Sequence, residues 1–208
     1  VLMRRPEFVA KHGGMPSGWL GGLVASIMER ETTAINQDAI ALLDPKEGEA
    51  VLDVGTGNGT SLRHLAARVG EGSIVGVDHS TVMCGRAARN NKSLIADGRV
   101  KVQCARSDDL PFETGSFDAV MSVHTLYFWN PAEPHLREIA RVLRPGGKLV
   151  LVFRPSSDPA TADFPTSVYT FRAVEEIERL ADACGFENLT CKNGPDSEKI
   201  LSATRSCS

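Results

Sequence analysis

One stretch, residues 50–60, limits the fold more than any other part of this chain. It begins with the apolar run Ala50 to Val54 and continues with glycines at alternate positions, Gly55, Gly57 and Gly59. A short apolar run is typical of a buried parallel strand. Glycines at its end allow the backbone to turn sharply and to approach a ligand closely. The stretch therefore predicts a strand that ends in a binding site.

The glycine spacing separates two kinds of nucleotide site. Dinucleotide-binding proteins carry G-x-G-x-x-G after the strand, whereas this chain has G-x-G-x-G preceded by Asp53. A second apolar run begins at Ser73 and ends in Asp78. A carboxylate at that point can accept hydrogen bonds from both hydroxyls of a ribose. The two runs together favour a ribose-containing ligand, and the spacing argues against NAD.

Strand and helix patterns alternate along the chain, which predicts an α/β fold with a doubly wound, mostly parallel, Rossmann-like sheet of about seven strands. Amphipathic segments before the first strand predict N-terminal helices, and two short alternating segments near the end predict an antiparallel hairpin. The helices are expected at 60–69, 80–96, 132–143 and 172–184, and the later parallel strands at 100–105, 117–124 and 148–153. Ligands bind outside the carboxyl ends of such strands, so the following loops are expected to share one side: 55–60, 78–81, 106–115, 124–131 and 154–170.

Four segments occur in an order that points to one family. They are Val51 to Gly59, Gly76 to Ser80, Ser107 to Phe112, and Arg141 to Leu149. These segments resemble motifs of the class I S-adenosylmethionine-dependent methyltransferases, in the small-molecule branch that includes quinone-biosynthesis enzymes. The resemblance covers roughly residues 49–153. It implies S-adenosylmethionine as cofactor and S-adenosylhomocysteine as product.

The resemblance also implies a set of cofactor contacts. Asp78 would bind the ribose, while His79 and Met83 fall where relatives pack side chains around adenine and ribose. Asp53 would lie near the methionine end of the cofactor, or would only brace the glycine turn through backbone NH groups. The expected cofactor-binding residues are Asp53, Gly55, Thr56, Gly57, Gly59, Asp78, His79, Met83, Ser107, Asp108 and His124.

The adenine-reading segment departs from the family pattern. Ser107 and Asp108 match the position where relatives bind adenine through a backbone NH and a carboxylate, but Arg106 stands where many relatives carry an aspartate. Asp108 is therefore the expected acceptor for the exocyclic amine, with Asp109 as its rival.

An aromatic stretch, His124 to Pro131, follows the predicted fourth strand. Phe128 is expected in the core, whereas Tyr127 and Trp129 have polar tips and are candidates for lining a pocket for the methyl acceptor. His124 either takes a proton from an acceptor hydroxyl, as a catalytic base, or holds the cofactor. No carboxylate adjoins His124 in the sequence to orient its ring, so the smaller, cofactor-holding effect is expected.

Length and charge limit the other possibilities. The chain has 208 residues, room for one domain, predicted as a helical segment 1–48 and a cofactor-binding domain 49–208. The N-terminal helices either only pack on the sheet edge, or their entry, Gly13 to Trp19, forms a lid over the site, with Trp19 as a third acceptor-binding candidate. A net charge of -3 argues against nucleic acid as partner, and no signal or membrane segment is recognised, so a cytoplasmic protein is expected.

Cysteine and histidine spacing indicates no metal site and no disulfide framework. The cysteines are odd in number and lack C-x-x-C spacing, so they are expected to be reduced thiols. They are Cys84, Cys104, Cys184, Cys191 and Cys207.

These expectations combine into one leading hypothesis. The chain would transfer a methyl group from S-adenosylmethionine to a small-molecule acceptor by in-line displacement, as a monomer or homodimer without membrane partner. Positioning would be the main catalytic device, and a base would be needed only for an acceptor that is protonated at working pH. The alternatives are a non-catalytic S-adenosylmethionine-binding or interaction protein and an NAD-dependent oxidoreductase, which the glycine spacing opposes.

Overall fold

A sheet with helices on both faces forms the part of the chain that the computed structural model describes, residues 34–207. The strands are β1 (Ala50–Val54), β2 (Ser73–Asp78), β3 (Val100–Cys104), β4 (Phe117–Val123), β5 (Leu143–Phe153), β6 (Phe186–Asn193) and β7 (Lys199–Arg205). The helices are α1 (34–43), α2 (Thr60–Val69), α3 (Thr81–Asn90), α4 (Lys92–Ala96), α5 (Glu133–Val142) and α6 (Val174–Ala183), with short 3-10 turns at Leu126–Phe128, Pro159–Asp163 and Pro195–Ser197.

The strand order is β3-β2-β1-β4-β5-β7-β6. β1 pairs in parallel with β2 and β4, β3 pairs in parallel with β2, and β5 with β4. β7 is antiparallel to both β5 and β6. The predicted fold class, a mostly parallel doubly wound sheet with a C-terminal antiparallel hairpin, is therefore confirmed. The order reverses between β1 and β4, which is where such sheets bind ligands.

Different helices cover the two faces of the sheet, and residues of β1 alternate between them. Val51 packs in a cluster with Leu43 of α1 and Leu62 of α2, whereas Leu52 packs with Leu136 of α5 and Ile177 of α6. A strand covered on both faces is apolar at successive positions. This burial explains the continuous apolar run, and it confirms the helix expected just before the first strand. The earlier amphipathic segment and the entry Gly13 to Trp19 lie outside the described residues.

The helix predicted over 80–96 is in fact two helices, α3 and α4, that meet at Asn91. The Asn91 side chain is buried, and its Nδ2 donates to the carbonyl oxygens of Ala87 and Gly59, each at 2.9 Å. A side-chain amide that bonds to backbone carbonyls competes with regular helical bonding. The break therefore connects the end of α3 to the glycine turn after β1.

Two cysteines contradict the expectation of reduced thiols, because Cys84 and Cys104 form a disulfide with Cα atoms 6.0 Å apart. Cys104 ends β3, and its neighbour across the parallel ladder is Asp78. The Cys84 sulfur also lies 3.3 Å from the Asp78 carbonyl oxygen. Pairing of β2 with β3 places Cys104 beside Asp78, and α3, which follows Asp78, carries Cys84. The missing C-x-x-C pattern therefore gave no sign of the bridge. Among residues 34–207 the other cysteines are free.

Asn91→Ala should lower the free energy of unfolding by about 1 to 3 kcal/mol, because it removes two buried donor contacts and leaves the Gly59 carbonyl without that donor. Asn90→Ala is the matched control, since the neighbouring exposed amide also donates to the turn, at the Asn58 oxygen, and its loss should cost about 0.5 kcal/mol or less. Urea unfolding of both variants measures the difference. Equal effects would show that Asn91 does not brace the turn.

Candidate functional site

The carboxyl ends of β1, β2 and β4 meet at one edge of the sheet, and the turn after β1 is bonded to its neighbour β2. The amides of Gly55 and Thr56 both donate to the carbonyl oxygen of Val77, at 2.7 and 2.9 Å. Gly55 has a φ of 77°, in the left-handed region, and a Cβ there would overlap the side chain of Thr125. Gly57, with a φ of 57°, has no atom within 4 Å of the position a Cβ would take. The turn is therefore packed against Thr125 at Gly55, whereas space for a ligand remains beside Gly57.

Asp78 connects the glycine turn to α3. Its Oδ2 accepts from the amide of Gly57 at 3.0 Å, and its Oδ1 accepts from the amide of Ser80 at 2.8 Å. Ser80 caps α3, as its residue type predicts. Burial raises the pKa of the Asp78 carboxyl above its ordinary value, and the two amides oppose that shift. A carboxylate has about four acceptor positions, so both oxygens retain capacity for a ligand hydroxyl.

The two residues that follow Asp78 in the predicted set differ in exposure. His79 is exposed, with its Nδ1 3.8 Å from the Asp78 Oδ1. Met83 is buried in α3, where its amide donates to the Ser80 hydroxyl at 3.4 Å. The His79 side chain is thus accessible at this edge of the sheet, whereas the Met83 side chain is packed inside the protein.

Asp53 is almost completely buried, with 3% of its surface exposed. The Ser61 hydroxyl of α2 donates to its Oδ2. Burial raises the pKa of Asp53 to about 6, an effect that Ser61 partly opposes. The structure thus adds a contact with a helix to the two predicted roles, the brace of the turn and the ligand contact.

Arg106 already engages the predicted adenine acceptor. Its Nε and Nη2 donate to the two carboxylate oxygens of Asp108, at 2.8 and 2.5 Å, and this pairing holds the pKa of Asp108 below its ordinary value. Ser107 lies beside α5, where its hydroxyl is 2.7 Å from His135 Nδ1. The His135 ring stacks on Trp129, with ring centroids 5.2 Å apart. The adenine-reading and aromatic segments are therefore joined by His135, which the sequence did not single out.

The order of burial in the aromatic stretch is the reverse of the prediction. Tyr127 and Trp129 are 6% and 3% exposed, within the core, whereas Phe128 is only half-buried. The Tyr127 ring packs against Phe171, with ring centroids 4.8 Å apart, and its hydroxyl is internally bonded. The polar atoms of Tyr127 and Trp129 suggested that these residues would be more exposed than Phe128. The prediction was wrong because a polar side-chain atom can be buried when it has a hydrogen-bond partner, as the Tyr127 hydroxyl has. Trp19 lies outside the described residues.

His124 has a carboxylate partner that the sequence did not reveal. Glu198, in the turn between β6 and β7, places its Oε1 2.9 Å from His124 Nε2. On the other side of the ring, Nδ1 is 2.9 Å from the Tyr127 hydroxyl. β7 runs antiparallel to β5, so its first residues return to the edge where β4 ends. The His124 ring therefore has an orienting carboxylate, although none adjoins it in the sequence.

Each ring nitrogen of His124 has a hydrogen-bond partner within the protein. An ionised carboxylate only accepts, so Nε2 carries hydrogen where it donates to Glu198. The Tyr127 hydroxyl accepts from the Arg154 amide at 2.6 Å and also contacts Nδ1. The ring is therefore held by contacts on both sides.

Comparison with known proteins agrees with this geometry. A family profile described as a methyltransferase domain matches residues 52–151. The demethylmenaquinone methyltransferase of Tropheryma whipplei (strain Twist) is 32% identical over 180 residues, which cover 74% of this chain and 73% of that protein. The chain belongs to the class I S-adenosylmethionine-dependent methyltransferases.

A second sequence relative and a solved structure are also similar to this chain, over different shares of their own lengths. The 24-methylenesterol C-methyltransferase 2 of Oryza sativa is 31% identical over 173 residues, 77% of this chain and 47% of that protein, so the chain spans about half of this relative. A chain from the complex of the Haloferax volcanii Trm112 methyltransferase activator with a methyltransferase superposes with a TM-score of 0.81 at 21% identity, covering 90% of this chain and 96% of that one.

This edge of the sheet suits the cofactor of the family. Gly57 leaves open space for close approach, and the Asp78 carboxylate beside it can accept from ribose hydroxyls. Among residues 34–207 no group of His, Cys, Asp or Glu side chains has the arrangement of a metal site. In the same range no helix is long and apolar enough to cross a bilayer.

Asp53→Asn should change how stability depends on pH. Because the pKa of Asp53 is raised from 3.8 to about 6 in the folded protein, the folded state binds more protons than the unfolded chain between these values, and the wild type loses stability as pH rises through them. Relative to Asp53→Asn, the wild type should lose on the order of 3 kcal/mol between pH 3.5 and 7. Urea unfolding across that range tests this, and parallel pH profiles for the two proteins would contradict it.

Proposed function

We propose that this chain binds S-adenosylmethionine along the carboxyl edge of β1, β2 and β4 and transfers its methyl group to a small-molecule acceptor. The observation that carries the proposal is the Asp78 carboxylate, which lies at the end of β2, is aligned by the Gly57 and Ser80 amides, and borders the open side of the glycine turn. A nucleoside is recognised by such a pairing of carboxylate and turn.

In the proposed complex the adenosine half lies over β2 and β3. Asp78 accepts from the ribose hydroxyls, and His79 and Met83 border the ring system. The Ser107 amide and the Asp108 carboxylate read the adenine edge, and Asp108 does so while paired with Arg106. The Arg106 pair orients the carboxylate, a role that an aspartate at position 106 would not provide.

The methionine half lies over the turn that follows β1. Gly55, Thr56, Gly57 and Gly59 allow the backbone to approach it, and Asp53 and His124 border it. Asp53 favours a cationic group nearby once it is ionised. The cofactor supplies an electrophilic methyl bonded to a cationic sulfur, while the chain's own residues orient the reactants and exclude water.

The proposed acceptor wall is aromatic. Phe128 is half-buried and packs against Tyr169, with ring centroids 5.1 Å apart, and Phe164 and Phe171 from the 154–171 segment extend the cluster. Such a wall suits a flat apolar ring. The Tropheryma whipplei relative is named for a quinone, demethylmenaquinone, and we propose a hydroxylated aromatic acceptor of similar character here. Tyr127 and Trp129 support this wall from within the core.

His124 acts by holding neighbouring groups and not as a catalytic base, because both of its ring nitrogens are engaged. Positioning is then the main catalytic contribution of the described residues. A monomer or homodimer, independence of nucleic acid and a cytoplasmic location stay predictions from the sequence. The Cys84–Cys104 bridge argues against the predicted cytoplasmic location, because disulfides persist mainly in oxidising compartments.

Calorimetry should detect binding of S-adenosylhomocysteine and much weaker binding of NAD. Asp78→Ala should weaken S-adenosylhomocysteine binding by about 1.5 to 3 kcal/mol, roughly tenfold or more, because the ribose loses a charged acceptor. Asp97→Ala, at an exposed aspartate after α4, is the control and should bind like wild type. Because Asp78 also accepts from two backbone amides, thermal unfolding should accompany each titration.

Tighter binding of NAD than of S-adenosylhomocysteine would contradict the proposal. If folded Asp78→Ala bound S-adenosylhomocysteine with unchanged affinity, the ribose would have to be held by a residue other than Asp78. Binding without methylated product from any acceptor would favour the non-catalytic alternative.

Phe128→Ala should depress acceptor turnover by about tenfold or more, since one lost apolar contact is worth about 1 to 3 kcal/mol, and it should spare S-adenosylhomocysteine affinity. Turnover is followed by mass spectrometry with deuteromethyl S-adenosylmethionine and a panel of hydroquinones, phenols, amines and thiols. Phe128→Leu keeps an apolar side chain and is the matched variant. An equal loss of cofactor affinity would assign Phe128 to the cofactor site.

A further inference from the structure

Glu198 is the centre of a buried polar network that joins separate chain segments. Its Oε1 bonds to His124 at the end of β4 and lies 3.5 Å from Arg154 Nη2, just after β5. Arg154 Nη1 in turn contacts the Asp158 carboxylate and the Asp196 carbonyl oxygen, each at 2.8 Å. Glu198 itself is 6% exposed. A buried carboxylate is tolerated only where charged and hydrogen-bonding partners satisfy it, and here both are present.

The network continues from His124 to the glycine turn. Thr125, the next residue, lies so close over Gly55 that a Cβ on Gly55 would overlap its methyl group. The Thr125 hydroxyl contacts the Ser122 hydroxyl, which is 2.9 Å from the Val54 carbonyl oxygen. Because His124 and Thr125 are adjacent in the chain, the position of the His124 ring affects where Thr125 packs against the turn after β1.

Backbone strain concentrates at the same place. His124, Asp196 and Ser197 have φ values of 58°, 47° and 66°, in the left-handed region that non-glycine residues adopt only at a cost in free energy. Such conformations persist where surrounding contacts determine them. The Glu198 contacts hold both strained segments, because one partner is His124 and the other, Arg154, bonds to Asp196.

We infer that Glu198 is a positioning residue for the methionine half of the cofactor site: through His124 it holds Thr125 against Gly55. This inference rests on the proposed cofactor placement. The adenosine half depends on Asp78, Ser107 and Asp108, whose side chains bond to Gly57, Ser80, His135 and Arg106 and not to Glu198, His124 or Thr125. Loss of Glu198 should therefore affect only ligands that carry the amino-acid chain.

Calorimetry with two nucleosides distinguishes the methionine half of the cofactor site from the adenosine half. Glu198→Ala should raise the Kd of S-adenosylhomocysteine by about threefold to tenfold, and should change the Kd of 5′-methylthioadenosine, which lacks the amino-acid chain, by less than about twofold. Glu198→Gln retains an oxygen that accepts from His124 Nε2 and should restore the wild-type Kd for both. Glu187→Ala, at an exposed glutamate of β6, is the control and should match wild type.

Equal weakening of both nucleosides in Glu198→Ala, or no weakening of either, would overturn the inference. Failure of the wild type to bind S-adenosylhomocysteine would instead overturn the proposed function. Nitrogen NMR of ring-labelled histidine in the wild type gives a second test that requires neither variant nor ligand. The His124 Nε2 should carry a hydrogen that it donates to Glu198, and an Nε2 without hydrogen would disprove that contact.

Discussion

The pairing of the Asp78 carboxylate with the amides of Gly57 and Ser80 is the interaction on which the candidate site depends. It fixes the open part of the glycine turn relative to the start of α3, and it does so with the side chain that also faces the ligand edge. Two backbone donors compensate part of the cost of burying the charge. The same carboxylate therefore organises this edge of the sheet and retains acceptor positions for a ribose.

Side-chain contacts between distant segments build the region around the ends of β4 and β5. Glu198, His124 and Arg154 join the β6–β7 turn to the ends of β4 and β5, and the aromatic cluster around Tyr127 lies against them. The proposed cofactor site thus relies on backbone amides next to a motif and on the polar network beside Thr125, while the proposed acceptor wall relies on aromatic packing. This division agrees with a family in which the cofactor is constant and the acceptors of its named members differ.

Local signals in the sequence were sufficient for the sheet, the glycine turn and the cap at Ser80, because strand burial and capping depend on neighbouring residues. Contacts between distant segments were not predictable in the same way. Glu198 reaches His124, and Cys104 reaches Cys84, only because strand order places them together. The burial of Tyr127 was missed for a related reason, since the amide that satisfies its hydroxyl belongs to Arg154.

A crystal structure with S-adenosylhomocysteine tests the central claim most directly. The ribose hydroxyls should lie within hydrogen-bond distance of the Asp78 carboxylate, and the adenine should lie beside Ser107 and Asp108. The amino-acid chain should lie over Gly55 and Gly57, next to Thr125. A nucleoside bound away from the carboxyl edge of β1 and β2, or a ribose without contact to Asp78, would contradict that claim.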